Sequence, residues 1–156
     1  MRFASYLIGG VALCLCSASF ASKTRTFTPS VVIEGSASEN IEIRAEQYIF
    51  PALYSSSTQS FRPVSIPFQV VSLSGAPLDY RLSLLSSVHQ CKDSEGESDV
   101  GVDVKLNDGD WFVDGVEFNG SLDSHKIDLV YGKVPQKAES QSCFGTLRVL
   151  IEGGAL

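Results

Sequence analysis

The sequence predicts an all-β protein, an antiparallel β-sandwich, and three observations carry that prediction. Apolar residues alternate with polar ones in almost every segment, the period of half-buried strands. Behind the N-terminal leader, no segment sustains a 3.6-residue apolar period with helix caps. Turn residues punctuate the alternating runs, at Gly75-Ala76-Pro77, Asn107-Asp108-Gly109-Asp110 and Asn119-Gly120. About seven to nine short strands in one domain's length suggest two packed sheets.

Residues 1–21 read as a secretory signal peptide. Arg2 supplies the charge, Tyr6 to Cys16 the apolar run, and Ser19-Phe20-Ala21 small residues at the two positions that place cleavage after Ala21. The run is short for a membrane span, and no other segment is apolar enough for one, so the mature chain is expected to be exported with no membrane span. Cleavage leaves 135 of 156 residues and removes one base, Arg2, which takes the net charge from −6 to −7. An acidic chain with no basic cluster argues against nucleic acid as a partner.

Residues 22–36 form an N-terminal arm ahead of one sandwich domain, 37–156. Within the arm, Phe27, Pro29, Val31 and Ile33 share one face of an extended strand, and Thr26, Thr28, Ser30, Val32 and Glu34 the other. A strand beside a new terminus frays unless something ties it down. It can join its own sheet or be donated to another molecule's. If donated, it should lie loosely on its own domain in an isolated monomer.

The domain's strands follow in order. Ile41, Ile43 and Ala45 alternate, as do Val64, Ile66, Phe68 and Val70, then Tyr80, Leu82 and Leu84. Pro51, Pro63 and Pro67 suggest edge strands or irregular borders. Val100, Val102, Val104 and Leu106 lead through Asp-Gly and Asn-Gly turns to Ile127, Leu129 and Tyr131, which suggests a three-strand meander over residues 100–131. Residues 93–99 (DSEGESD) read as a mobile acidic loop. Phe144 to Ile151 is the most apolar run and reads as a central strand.

Cleavage also removes Cys14 and Cys16, leaving Cys91 and Cys143, which most simply form one disulfide in an exported chain. A metal site on His89, Cys91, Cys143 and Asp93 lacks a specific ligand spacing. No cofactor, metal or catalytic residue is expected. There is no nucleophile elbow and no phosphate-cradling loop. Ser124 and His125, adjacent on a strand, point to opposite faces. His89 and His125 sit beside polar residues and read as surface positions. Glu95 and Glu97 lie where nothing would desolvate them. Trp111 reads as a core residue, with stacking on a sugar ring as the alternative.

Several segments together resemble the alpha-type (class 5, colonisation factor antigen I-like) fimbrial pilins of the chaperone–usher pathway. Val31-Val32-Ile33-Glu34-Gly35-Ser36-Ala37, followed by Ile41-Glu42-Ile43, is similar to that family's N-terminal donor segment and first fold strand. Phe61 and Gln69-Val70 resemble an internal strand. Val102-x-Val104 with Gly109, then Glu117-Phe118, resembles the middle of the fold. Ile127 to Leu129, Lys137 and Gly145-Thr146-Leu147-Arg148-Val149-Leu150-Ile151 resemble its C-terminal part. The arm is longer than the family's, and the cysteine pair is not a family feature.

The resemblance implies an Ig-like antiparallel β-sandwich lacking one strand and completed by a neighbour's. It implies a structural or minor subunit of a surface fimbrium, polymerised by donor-strand exchange and supporting adhesion. The partners it implies are neighbouring pilin subunits, a periplasmic chaperone and an outer-membrane usher. Phe27, Val31 and Ile33 are the expected donor residues, and Val149 and Ile151 the expected lining of the acceptor groove. Burying three such side chains would contribute roughly 5–8 kcal/mol before ordering costs. The alternative is a self-contained exported sandwich that binds a host glycan or protein without polymerising.

Overall fold

The structure is a computed structural model that describes residues 40–111 and 114–153 in full and the backbone of residues 26–35. The segment expected to be a signal peptide, 1–21, lies outside the described residues. Every regular element described is a strand: β1 (Thr26–Gly35), β2 (Ile41–Arg44), β3 (Ala52–Ser55), β4 (Ser60–Phe61), β5 (Val64–Ser72), β6 (Leu78–Asp93), β7 (Gly96–Asp99), β8 (Val102–Leu106), β9 (Gly109–Asp110), β10 (Val116–Gly120), β11 (Leu122–Tyr131) and β12 (Ser142–Gly153).

Two sheets face each other. One runs β10-β6-β12-β1-β3-β4, with β7 also paired to β6, and the other runs β2-β5-β11-β8-β9. All pairings are antiparallel except β1 with β12. The alternation predicts the inner faces well. Ile66, Phe68 and Val70 on β5, Ile127 and Leu129 on β11, and Leu147, Val149 and Ile151 on β12 are all buried. Strand β12 is central, as its apolar run predicts. Pro67 sits where β5 is locally an edge, because β2 pairs only with Gln69 to Ser72. A proline there removes no ladder hydrogen bond on the open side.

Four expectations are corrected. The arm does not lie loosely: β1 is a full member of its own chain's sheet. Residues 100–131 are not a meander, because β10 leaves for the other sheet and pairs with β6. Asn119-Gly120 is therefore a connection between layers, not a hairpin. The acidic segment 93–99 is the tip and return strand of a β6–β7 hairpin. Both histidines are buried, not exposed. His125 shares the parity of Ile127 and Leu129 on β11. His89 turns inward because of a bulge: Arg148 pairs with Ser86 and Val149 with Leu84, which leaves Leu85 as the extra residue. The inner face of β6 thus passes from Leu82 and Leu84 to His89 and Cys91.

Candidate functional site

The candidate site is the slot between β12 and β3. Along β12, Cys143, Gly145, Leu147, Val149 and Ile151 form one buried row, because successive strand residues face opposite ways. Strand β3 supplies the far wall, with Ala52 buried on it and Phe50 just before it. Among the described residues, β1 is the strand that pairs with both walls.

Strand β1 enters parallel to β12, in a register from Phe27↔Cys143 to Gly35↔Ile151. It meets β3 only at Thr26↔Leu53 and Phe27↔Ala52. The expected donor and lining residues are thereby brought together within one chain. Phe27 pairs with Cys143, Val31 with Leu147 and Ile33 with Val149, while Ile151 pairs with Gly35. The sequence reading left out Leu147, Cys143 and the β3 wall. Leu147 was within reach, since it alternates with Val149 and Ile151. The β3 wall carries no motif that would mark it.

The other flank of β12 is anchored. Cys91 and Cys143 are register partners on β6 and β12 and are joined by a disulfide. At the same end, Lys137 reaches the β6–β7 hairpin, with its Nζ 2.9 Å from Asp93 Oδ2 and 2.6 Å from Glu95 Oε2. The hydrogen bond from Lys137 is the main reason that the Asp93 carboxyl is held down to about 2.

Beyond the other end of the slot lies a polar network between the sheets. The Asn107 side-chain oxygen accepts the Lys126 backbone N–H at 3.0 Å, so its Nδ2 faces His125 Nδ1, also at 3.0 Å. Nδ1 must then accept, and Nε2 carries the proton and donates to the Tyr80 hydroxyl at 2.6 Å. The Tyr80 hydroxyl donates in turn to Asp123 at 2.6 Å. Burial drives the His125 pKa down, partly offset by the Asp123 charge. Burial and the bond to Asp123 drive Tyr80 up. Both favour neutral rings that hold the sheets together. His125 thus bonds to Tyr80 and Asn107. Among the described residues, no group of three His, Cys, Asp or Glu side chains is placed to hold a metal ion.

Neither a family model nor a curated protein matches the sequence. Among solved structures, the chain is similar to the CooA pilin subunit from enterotoxigenic Escherichia coli. The identity is 8% and the TM-score 0.41, over 83% of this chain and 99% of that one. A likeness of this size adds nothing to the slot geometry, which stands on the strand register alone.

Proposed function

We propose that this chain is a structural or minor subunit of a bacterial surface fibre, assembled by exchange of the β1 strand between copies or neighbouring subunits. The single observation behind this reading is the slot itself. One terminal strand, not disulfide-bonded to either wall, separates β12 from β3. Withdrawing β1 would bare the β12 row and a line of unpaired backbone groups, a template for another strand. A neighbour's β1 would restore the same contacts, so exchange costs little at equilibrium. Non-covalent assembly of this kind needs no catalytic residue. Export, a periplasmic chaperone, an outer-membrane usher and a role in adhesion belong to the same proposal.

The test is assembly in the exporting cell. Val31→Asp places a charge opposite buried Leu147, and Val32→Asp places one opposite exposed Arg148. Fibres seen by electron microscopy and heat-stable ladders on gels should vanish in the first variant and persist in the second. Equal behaviour of the two variants contradicts the proposal. One observation favours a second reading, a self-contained binding domain: β1 already fills the slot of its own chain. A protein that stays monomeric at high concentration and never exchanges β1 would establish that reading instead.

A further inference from the structure

The register of β1 fixes the end of the molecule from which it leaves. Along β12 it runs from Phe27↔Cys143 to Gly35↔Ile151, and after residues 36–40 the chain resumes at Ile41↔Ser72 in the other sheet. The same end carries the pairs Gly153↔Tyr80, Gly120↔Leu78 and Leu122↔Val71. This end is the hinge pole. The β6–β7 hairpin, closed at Asp93↔Gly96, marks the opposite pole. At full extension, residues 36–40 let Gly35 and Ile41 lie no more than about 20 Å apart.

A β1 seated in another copy in this same register leaves that copy at its hinge pole. The donor's own body starts within that short tether, also at its hinge pole, so the two hinge poles face each other. The receiver's displaced β1 emerges at the same contact and meets the donor's empty slot. Reciprocal exchange fills both slots and closes by a two-fold axis. A longer chain in this register would crowd two neighbours, each body about 30 Å across, onto one pole. The surfaces agree with a contact at this end. Leu73 and Leu122 stand there 56% and 61% exposed, and the Leu73 N–H donates to the Asn40 carbonyl of the hinge at 2.8 Å. The hairpin at the opposite pole exposes Glu95, Glu97 and Asp99, like charges that disfavour contact between copies.

We propose that exchange of β1 in the register of the structure produces a closed pair of chains, joined hinge pole to hinge pole with Leu73 and Leu122 covered. This inference rests on the strand exchange proposed above and names a second copy of the chain as the partner. The pair has no empty slot and no free arm. It therefore competes with fibre growth, which needs a strand that enters the slot from the opposite pole.

The test uses the chain from residue 22 at high concentration, passed through mid-transition urea and returned to buffer. Mild acid keeps thiols protonated, so that the native bridge does not shuffle. Light scattering of the unmodified chain should find single chains and pairs, with nothing larger. Ser30→Cys and Thr146→Cys, made in separate chains, mark register partners on β1 and β12. Mixed and treated in this way, the two should be joined between chains by a bis-maleimide, while the bridged Cys91 and Cys143 do not react. Leu73→Cys should be joined to its own copy within the pair, and Glu97→Cys should not. Leu73→Asp/Leu122→Asp should weaken the pair about tenfold or more. Ser30–Thr146 coupling in species of three or more chains overturns the closed pair and leaves exchange standing. Absence of that coupling in every species overturns exchange itself, and the pair with it. Coupling through Glu97 in place of Leu73, or undiminished pairing in the double aspartate variant, overturns the contact between hinge poles.

Discussion

The two flanks of β12 are built differently. On the β6 side an antiparallel ladder runs from Ser142↔Lys92 to Gly153↔Tyr80 and is closed covalently by Cys91–Cys143. On the β1 side the ladder is parallel, no disulfide closes it, and beyond β1 only two positions of β3 are paired. Parallel pairing is slightly weaker per residue. The difference teaches that one neighbour of β12 is covalently tied to it and the other, β1, is not. On the function proposed above, a chain built this way would lose β1 while keeping the β6–β12 pair that receives its substitute.

Removing β1 should show the largest effect. Deleting residues 22–33 removes the strand partners of Leu147 and Val149 and should cost about 5 kcal/mol, a melting point lower by about 15 °C. Thermal unfolding by circular dichroism measures it. A change of only a few degrees would mean that β1 contributes little to its slot.

The anchored flank comes next. The bridge spans 52 residues, so its loss in a Cys91→Ala/Cys143→Ala variant should cost about 4 kcal/mol in the chain-entropy model. A lower denaturant midpoint in urea checks this. Strand exchange should still be possible in that variant, because the β1 flank is untouched. Leu147 belongs to both flanks, so Leu147→Ala should cost about 3 kcal/mol.

Acid should loosen the same sheet. His89 lies on β6 opposite Gly145 of β12, and burial lowers its pKa to about 4, below the ordinary 6.5. A lowered folded pKa means that the unfolded chain takes up the proton first. The contribution of neutral His89 is complete above pH 6.5 and is lost as the pH falls towards 4, about 3 kcal/mol in all. His125, lowered in the same direction, adds to the slope. His89→Gln should flatten the profile of stability against pH over this window. The smallest effect belongs to Val32→Asp, opposite exposed Arg148, which should change the stability of the monomer by about 0.5 kcal/mol or less.

Much of this was legible in the sequence. Period-two alternation marks the strands and their inner rows, and it assigns Val31, Ile33, Val149 and Ile151 to faces that meet in the register. Two cysteines outside the expected signal peptide point to one bridge. Alternation says which face a residue takes, but not which strand lies beside it. The cis pairing of β1 and the departure of β10 to the other sheet were therefore out of reach. His89 was hidden by the Leu85 bulge, which reverses parity without a sequence mark. His125 was readable, since it alternates with Ile127, and its polar neighbours misdirected the reading.

The central claim is that the β1 slot accepts a strand in trans. The direct measurement mixes the chain lacking residues 22–33 with a synthetic peptide of residues 26–35 and follows both binding and melting. The account predicts one peptide per chain and recovery of most of the lost stability, with no recovery from the Val31→Asp peptide. A truncated chain that ignores the peptide, or one that accepts both peptides equally, would contradict it.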